Sequence, residues 1–311
     1  MIQAIYPTPT PKANPAAIIL EGNARFTILT SRLIRMEFDP LKRFEDHASQ
    51  VFLYRDQPVP TYHSWKQDGW LHIETDYLHL RFAENGRFHW RDLQITLKQS
   101  GQTWQYSFPD QTNLGGTIRT LDSTNGRVTL PDGLVSRSGW AVVDDSHSLV
   151  FDENEWLKPR ETSPEKRDLY FFGYAQDYLS AITDYQRISG KPGLLPRWAL
   201  GNWWSRFWPY SDRELLDLMD AFTQQQIPLS VCIVDMDWHI TNTGNSSSGW
   251  TGYTWNRKLF PNPTKFIEEL HQRGLKTALN LHPAEGVHTH EEAFPAMAAA
   301  LGQDPSEGKP V

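Results

Sequence analysis

From about Asn23 to Phe172 the chain alternates between apolar and polar positions with a period of two. Ile34, Met36 and Phe38 alternate with Arg35 and Glu37; Leu71 and Ile73 with His72 and Glu74; Leu78, Leu80 and Phe82 with His79 and Arg81; Leu93, Ile95 and Leu97 follow. This pattern predicts half-buried strands of antiparallel sheets, each with one face in a core. Asn85-Gly86 and Asn125-Gly126 read as hairpin turns, because both residue types tolerate positive φ. Many short strands between turns predict a β-sandwich. Within it, Gly115-Gly116 allows close backbone approach, and Asp122 by itself reads as a turn residue. Residues 138–160 read as one or two further strands, with Asp144 and Asp145 in a solvated turn.

The period then changes. Tyr178, Leu179, Ile182, Tyr185 and Ile188 recur at helical spacing, with Gly190 as C-cap. The run Gly-Lys-Pro-Gly-Leu-Leu-Pro, 190–196, reads as a domain junction. Beyond it, Trp198–Trp204, Leu229–Val234 and Leu275–Leu281 read as strands. Between and after them come three helices: one opened by a Ser211/Glu214 capping box with Leu215, Leu218, Met219 and Phe222 inward; one opened by Asn262-Pro263 with Phe266, Ile267 and Leu270 inward; and one over Glu291–Leu301. Strand and helix in alternation predict a parallel sheet with right-handed crossovers. A closed β/α barrel takes eight such units and about 250 residues. The segment after Pro196 therefore reads either as a small open sheet with an unprotected edge or as the front of something longer.

Composition narrows the function. The 311 residues suit about two domains at ~150 residues each. A net charge of −7 without a basic run argues against nucleic acid as partner. The 13 tryptophans exceed what a core needs, and an indole face suits the apolar face of a sugar ring. Cys232, the single cysteine, reads as a small buried hydrophobe. The N-terminus lacks the pattern of a signal peptide, and no apolar run approaches the ~18 residues of a membrane span. A soluble, cytoplasmic protein without a membrane partner is the expectation.

The candidate chemistry gathers at the strand ends, where parallel sheets place functional groups. Asp235 and Asp237 follow the second strand and would share a face if it continued. They read as loop caps paired to an arginine, as a metal-binding pair of the nucleotide-sugar transferase kind, or as acceptors for sugar hydroxyls beside Trp238 and Trp250. Arg206 is placed to bridge to either carboxylate, with Phe207 and Trp208 as an aromatic wall. Ser205 has no triad partners. His282 reads equally as a loop-fixing residue and as a substrate contact. Glu285 has the position of a general acid or base, although a solvated Glu is the commoner occupant of such a turn. His288 and His290 only superficially match a metal pair, and no metal is expected.

Four segments in order, LPRWALGNWWSR, IPLSVCIVDMDWH, GWTGYTWNRKLFPNP and LKTALNLHPAEG, resemble the front of the catalytic barrel of glycoside hydrolase family 31, the α-glucosidase and α-xylosidase family. The upstream NLGGTIRTLDSTNG and the β-rich first part are similar to that family's N-terminal β-sandwich. The resemblance covers the chain from about Ala24 onwards. It implies a galactose-mutarotase-like sandwich with a trailing helix over residues 1–190, then the first three βα units of a truncated (β/α)8 TIM barrel over 194–311. It also implies cofactor-free hydrolysis of terminal α-linked sugars with retention, by one Asp as nucleophile and another as acid and base. Glucose is the expected sugar, with xylose the alternative. Both catalytic residues are expected beyond residue 311, so the chain alone is expected to be inactive. Asp235 matches the family's contact to sugar hydroxyls in the −1 subsite, Asp122 an Asp on a sandwich loop reaching the same pocket, and Phe207 or Trp208 an aromatic near it. Glu285 departs from the family's usual pocket residue. The expected partner is an oligosaccharide or α-glycoside, with homo-oligomerisation of the full-length enzyme left open. The rival from another class is a carbohydrate-binding protein without catalysis.

Overall fold

Period-two patterning produces two five-stranded antiparallel sheets in the computed structural model, which describes residues 8–118, 120–122 and 124–311. One sheet contains β1 (Ile18–Glu21), β2 (Ala24–Thr30), β3 (Leu33–Phe38), β9 (Trp140–Asp144) and β12 (Arg167–Gly173), in the order β1-β2-β3-β12-β9. The other runs in sequence order through β4 (Tyr62–Gln67), β5 (Trp70–Thr75), β6 (Leu78–Ala83), β7 (Leu93–Leu97) and β8 (Thr103–Gln105). Phe26, Met36 and Phe171 from the first sheet pack with Ile73, Leu80, Phe82 and Ile95 from the second in one core. A short pair, β10 (Val150–Phe151) and β11 (Leu157–Lys158), lies outside both. The described residues up to Pro192 form one compact unit and those from Gly193 a second.

The outer face of the first sheet departs from the alternating pattern. Arg35 and Glu37 are as buried as Ile34 and Met36. Asp145, expected in a solvated turn, is fully buried. The cause is a second covering layer: α1 (Tyr178–Ser189) and the segment around Phe52 pack Phe52, Ala181 and Ile188 against Leu33, Tyr170 and Phe172. Strand β12 is consequently buried along nearly its whole length, a pattern usual for strands covered on both faces. The polar positions survive burial by pairing. Arg35 grips Asp168 through Nε–Oδ1 at 2.8 Å and Nη2–Oδ2 at 2.7 Å. Its Nη2 also lies 3.1 Å from Glu37 Oε1. Arg160 Nη1 donates to Asp168 Oδ2 at 3.0 Å, and Arg55 Nε donates to Tyr170 Oη at 2.6 Å. Burial would raise the Asp168 pKa, but Arg35, then Arg160 and Arg55, pull it well below the usual range. Desolvation pushes Asp145 the other way, reinforced by the neighbouring Asp168 charge.

Turns also differ from expectation. Asn85 does adopt positive φ, at 54°, but β6 ends at Ala83 and β7 starts at Leu93, so the turn sits inside a longer connection. Asn125-Gly126 joins no paired strands, because no strand forms among the described residues between Gln105 and Trp140. Tight two-residue hairpins form instead at Gly22-Asn23, at Ser31-Arg32 and at Asp68-Gly69, the last with φ of 52° and 80° between the register partners Gln67 and Trp70. On α1, Leu179 and Ile182 face solvent; the buried face is Ala181, Tyr185 and Ile188.

In the second unit, β13 (Trp203–Trp204), β14 (Val231–Val234) and β15 (Lys276–Leu279) form a three-stranded parallel sheet with β14 in the centre. The first strand is shorter than expected: Pro196 opens a 3-10 turn over Arg197–Leu200, closed by a bond from Gly201 N to Trp198 O. Gly201 is required there, since a Cβ would lie 1.8 Å from Ser230 Oγ. Helix α2 (Asp212–Gln224) carries the capping box in full, with Leu215, Leu216 and Met219 buried. Helix α3 (Pro263–Gln272) starts at the Asn262 cap and buries Phe266 and Leu270. The last helix, α4 (Phe294–Ala300), is shorter than the sequence pattern because Pro295 sits in its first turn, and Pro is best tolerated there. Among the described residues no helix is long and apolar enough to cross a membrane.

Candidate functional site

The three parallel strands end together, and the loops that leave them carry most of the candidate side chains. Central strand β14 stops at Val234, and Met236–Trp238 form a 3-10 turn. Asp235 and Asp237 therefore do not lie two apart on one strand face. Asp235 caps the turn: Oδ1 accepts from Met236 N at 2.8 Å and from Asn280 Nδ2 at 2.7 Å. Its Oδ2 accepts a longer bond, 3.5 Å, from Ser205 Oγ beyond β13. One carboxylate thus joins groups from the ends of all three strands, and Oδ2 is the less heavily used oxygen.

Asn280 is the residue that sequence reasoning missed. Besides holding Asp235, its carbonyl accepts from the indole Nε1 of buried Trp238 at 2.9 Å. Its backbone N extends the ladder to Val234 O at 3.0 Å. The available signal was a polar side chain directly after an apolar strand. We expect Asn280→Ala to free the Asp235 carboxylate from the β15 end while costing about 1–2 kcal/mol of stability, measured by denaturant unfolding alongside sugar affinity. Unchanged stability and unchanged affinity would show that this bond positions nothing.

Arg206 makes no ion pair with Asp235 or Asp237 among the described residues, contrary to the bridging expected of it. Its guanidinium lies over the Trp208 ring at 4.8 Å, and Nη1 donates to Tyr210 Oη at 3.2 Å. Stacking in this way orients a cation without neutralising it. Arg206, Trp208, Asp235 and Asp237 still line one narrow crevice. Phe207 stands 62% exposed, 6.0 Å from the Trp250 ring, and Trp250 in turn meets His282 edge-on at 5.1 Å. The Nδ1 atom of His282 is buried without a hydrogen-bond partner.

Glu285 is fixed by the neighbouring loop. Its Oε2 accepts from Ser248 N at 2.9 Å and Ser247 Oγ at 3.2 Å, and lies 3.7 Å from His288 Nε2. The two Ser248 bonds hold its pKa below the ordinary value. Glu285 is thus held as an acceptor by the 247–248 loop. Every carboxyl of the second unit with a displaced pKa, Glu214, Asp220, Glu285 and Asp304, is displaced downwards. A general acid needs the opposite displacement. Buried His239 is also pushed below its usual range by desolvation, so it stays neutral. Among the described residues, no group of three or more His, Cys, Asp or Glu is arranged to hold a metal.

Asp122 belongs to the first unit. It lies exposed on the long connection between β8 and β9, its backbone N donating to Thr120 Oγ1 at 3.1 Å. The arrangement in the second unit is suited to hydrogen-bonding neutral hydroxyls beside an aromatic surface: a part-shielded carboxylate, an unpaired arginine and exposed Phe207, Trp208 and Trp250.

Comparison with known proteins points to one family. Residues 192–305 match the TIM-barrel domain of the glycosyl hydrolases family 31. The chain is 29% identical over 184 residues to an α-xylosidase of Saccharolobus solfataricus, an alignment covering 58% of this chain and 24% of that protein. It is 30% identical over 144 residues to α-glucosidase 2 of Bacillus thermoamyloliquefaciens, covering 45% and 17%. Among solved structures, a family 31 α-xylosidase from a soil metagenome, complexed with xylose, superposes with a TM-score of 0.61 at 14% identity, over 91% of this chain and 48% of that one. A family 31 dextranase of Flavobacterium johnsoniae, complexed with glucose, gives 0.60 at 15% identity over 96% and 42%. The chain thus spans less than half the length of these relatives.

Proposed function

We propose that the chain belongs to glycosyl hydrolase family 31, whose TIM-barrel domain residues 192–305 match, and that its second unit forms one wall of the pocket for a terminal α-linked sugar. The carrying observation is Asp235, held by Asn280 and Ser205 at the common end of three parallel strands, beside exposed aromatic rings. In this reading Asp235 accepts hydrogen bonds from ring hydroxyls. Phe207, Trp208 and Arg206 line the approach, and His282 and Glu285 fix the far side. Asp122 is proposed as a sugar-binding residue of the first unit. A polyhydroxylated ring held this way is positioned while positive charge builds at its anomeric carbon, the step that two further carboxylates serve in a retaining mechanism.

We assign those two carboxylates to a part of the enzyme outside these residues. The uncovered state of its sheet supports this, with Trp203, Leu279 and Leu281 exposed at strand positions and ends. The expected result is that the purified 311-residue chain releases no p-nitrophenol from the α-glucoside or the α-xyloside. Turnover above a mock purification by this chain would overturn the assignment. Glucose is the sugar we propose. The second reading, xylose, is favoured by the 29% identity to an α-xylosidase. Relative turnover of the two nitrophenyl glycosides by the enzyme containing this chain decides between them.

A further inference from the structure

A cleft of about 250 Å³, open to solvent, lies in the first unit between β8 and β9, the edge strands of the two sheets. That is room for a single sugar ring rather than for a long oligosaccharide. Trp104, Tyr106, Phe108 and Trp140 supply its apolar lining. Trp104 is core, and meets Trp140 edge-on at 6.3 Å and Tyr106 at 6.4 Å. That contact fixes the Trp140 ring while leaving it only half-buried. Phe108 is 51% exposed at the rim. The polar lining is acidic and amide-bearing, with exposed Asp132 and Asp144 and no lysine or arginine.

The rim is also built. Asn113 ties both strands of the loop at its neck: Oδ1 accepts from Gly115 N at 2.9 Å and Gly133 N at 2.7 Å, and Nδ2 donates to Gly133 O and Asp110 Oδ2, both at 3.1 Å. Gly133 is packed so closely that a Cβ would lie 2.4 Å from Gly115 O. Asp110 spends its oxygens on Thr112 N, Ser138 Oγ and Asn113, which leaves it structural. Asp132, by contrast, follows directly before the pinned Gly133 and has no hydrogen bond or ion pair among the described residues. Asp144 spends Oδ1 on Ser146 N at 2.9 Å and keeps Oδ2.

We propose that this cleft is a second carbohydrate site, separate in sequence and unit from the Asp235 wall, which takes a neutral pyranose against Trp140 with Asp132 and Asp144 accepting its hydroxyls. Half-exposed indole beside carboxylate acceptors matches a ring with apolar C–H faces and polar edges. The charged lining is all acidic, which disfavours phosphorylated or carboxylated sugars by charge repulsion. The site needs neither the catalytic carboxylates nor the Asp235 reading.

The test uses the 311-residue chain and maltose, with indole N–H resonances followed by NMR and Trp140 assigned by Trp140→Phe. The expected result is a saturable shift of the Trp140 signal, retained in Asp235→Asn. In an Asp132→Asn, Asp144→Asn double variant the affinity falls about tenfold or more. Both carboxylates are exposed, so the fold is expected to persist, as checked by an unchanged melting curve. A Trp140 signal that stays still at millimolar maltose, or a shift that is identical in the double variant, overturns the proposal. A response to Ca²⁺ in place of maltose also overturns it, and assigns the cleft to a cation.

Discussion

Asp168→Ala is expected to destabilise the first unit by about 3–5 kcal/mol, the cost of leaving a buried charge without its partner. Two guanidinium groups each lose a carboxylate partner at once, because Arg35 and Arg160 both bond Asp168 and all three side chains are buried; Arg160 would keep only Asp145, at 3.6 Å. Arg35 would keep Glu37 at 3.1 Å, but Glu37 is already shared with Arg25, whose Nε lies 2.6 Å away. The pH dependence follows from the sign of the shift. The Asp168 pKa is depressed in the fold, so its contribution is complete above the unfolded carboxylate value near 4 and is lost as pH falls through the lower folded value. Asp145, raised in the fold, opposes this: its ionisation costs stability as pH rises through its unfolded and then its folded value. Urea unfolding from acid to neutral pH checks both. The wild-type gain on leaving acid should be much reduced in Asp168→Ala. An unfolding free energy within about 1 kcal/mol of wild type would show that the cluster is solvated in solution.

Asp235→Ala is expected to lower kcat/KM of the enzyme containing this chain by about ten- to a hundredfold or more on terminal α-glycosides, the worth of ~1.5–3 kcal/mol for hydrogen bonds to an ionised group. The truncation leaves Asn280 Nδ2 and Met236 N without their acceptor, so part of the loss reflects the wall itself. Asp235→Asn separates the two effects, since it keeps the shape and removes the charge. A fall in kcat/KM confined to Asp235→Ala, with Asp235→Asn unaffected, would mean that the carboxylate only caps its turn.

Much of the fold was legible because burial on one face imposes a period. The core strands β5, β6 and β7 follow their alternating pattern, and the Ser211 and Asn262 caps mark helix starts by chemistry local to each turn. What failed depended on distant chain. Arg35, Glu37 and Asp145 read as solvent-facing because the layer that covers them comes from residues 39–55 and α1, far away in sequence. In the candidate site, Asp235 was legible as a carboxylate at a strand end. Asn280 was not, because its role exists only when β15 pairs in register with β14. Arg206 failed for a similar reason: the sequence gives a cation near two acids, and only the packing reveals that Trp208 and Tyr210 take it instead. The cleft between β8 and β9 was equally hidden, since Trp104 and Trp140 meet only when the two sheets stack.

The central claim is that the end of the three-stranded parallel sheet is a sugar-binding wall centred on Asp235. The most direct measurement is a titration of the chain with methyl α-glucoside, following the Asn280 side-chain amide, the Met236 backbone amide and the Trp250 indole by NMR. The account predicts that all three shift together along one binding curve, and that Asp235→Asn abolishes the response. Signals that remain in place up to millimolar sugar, or that move equally in Asp235→Asn, would contradict it.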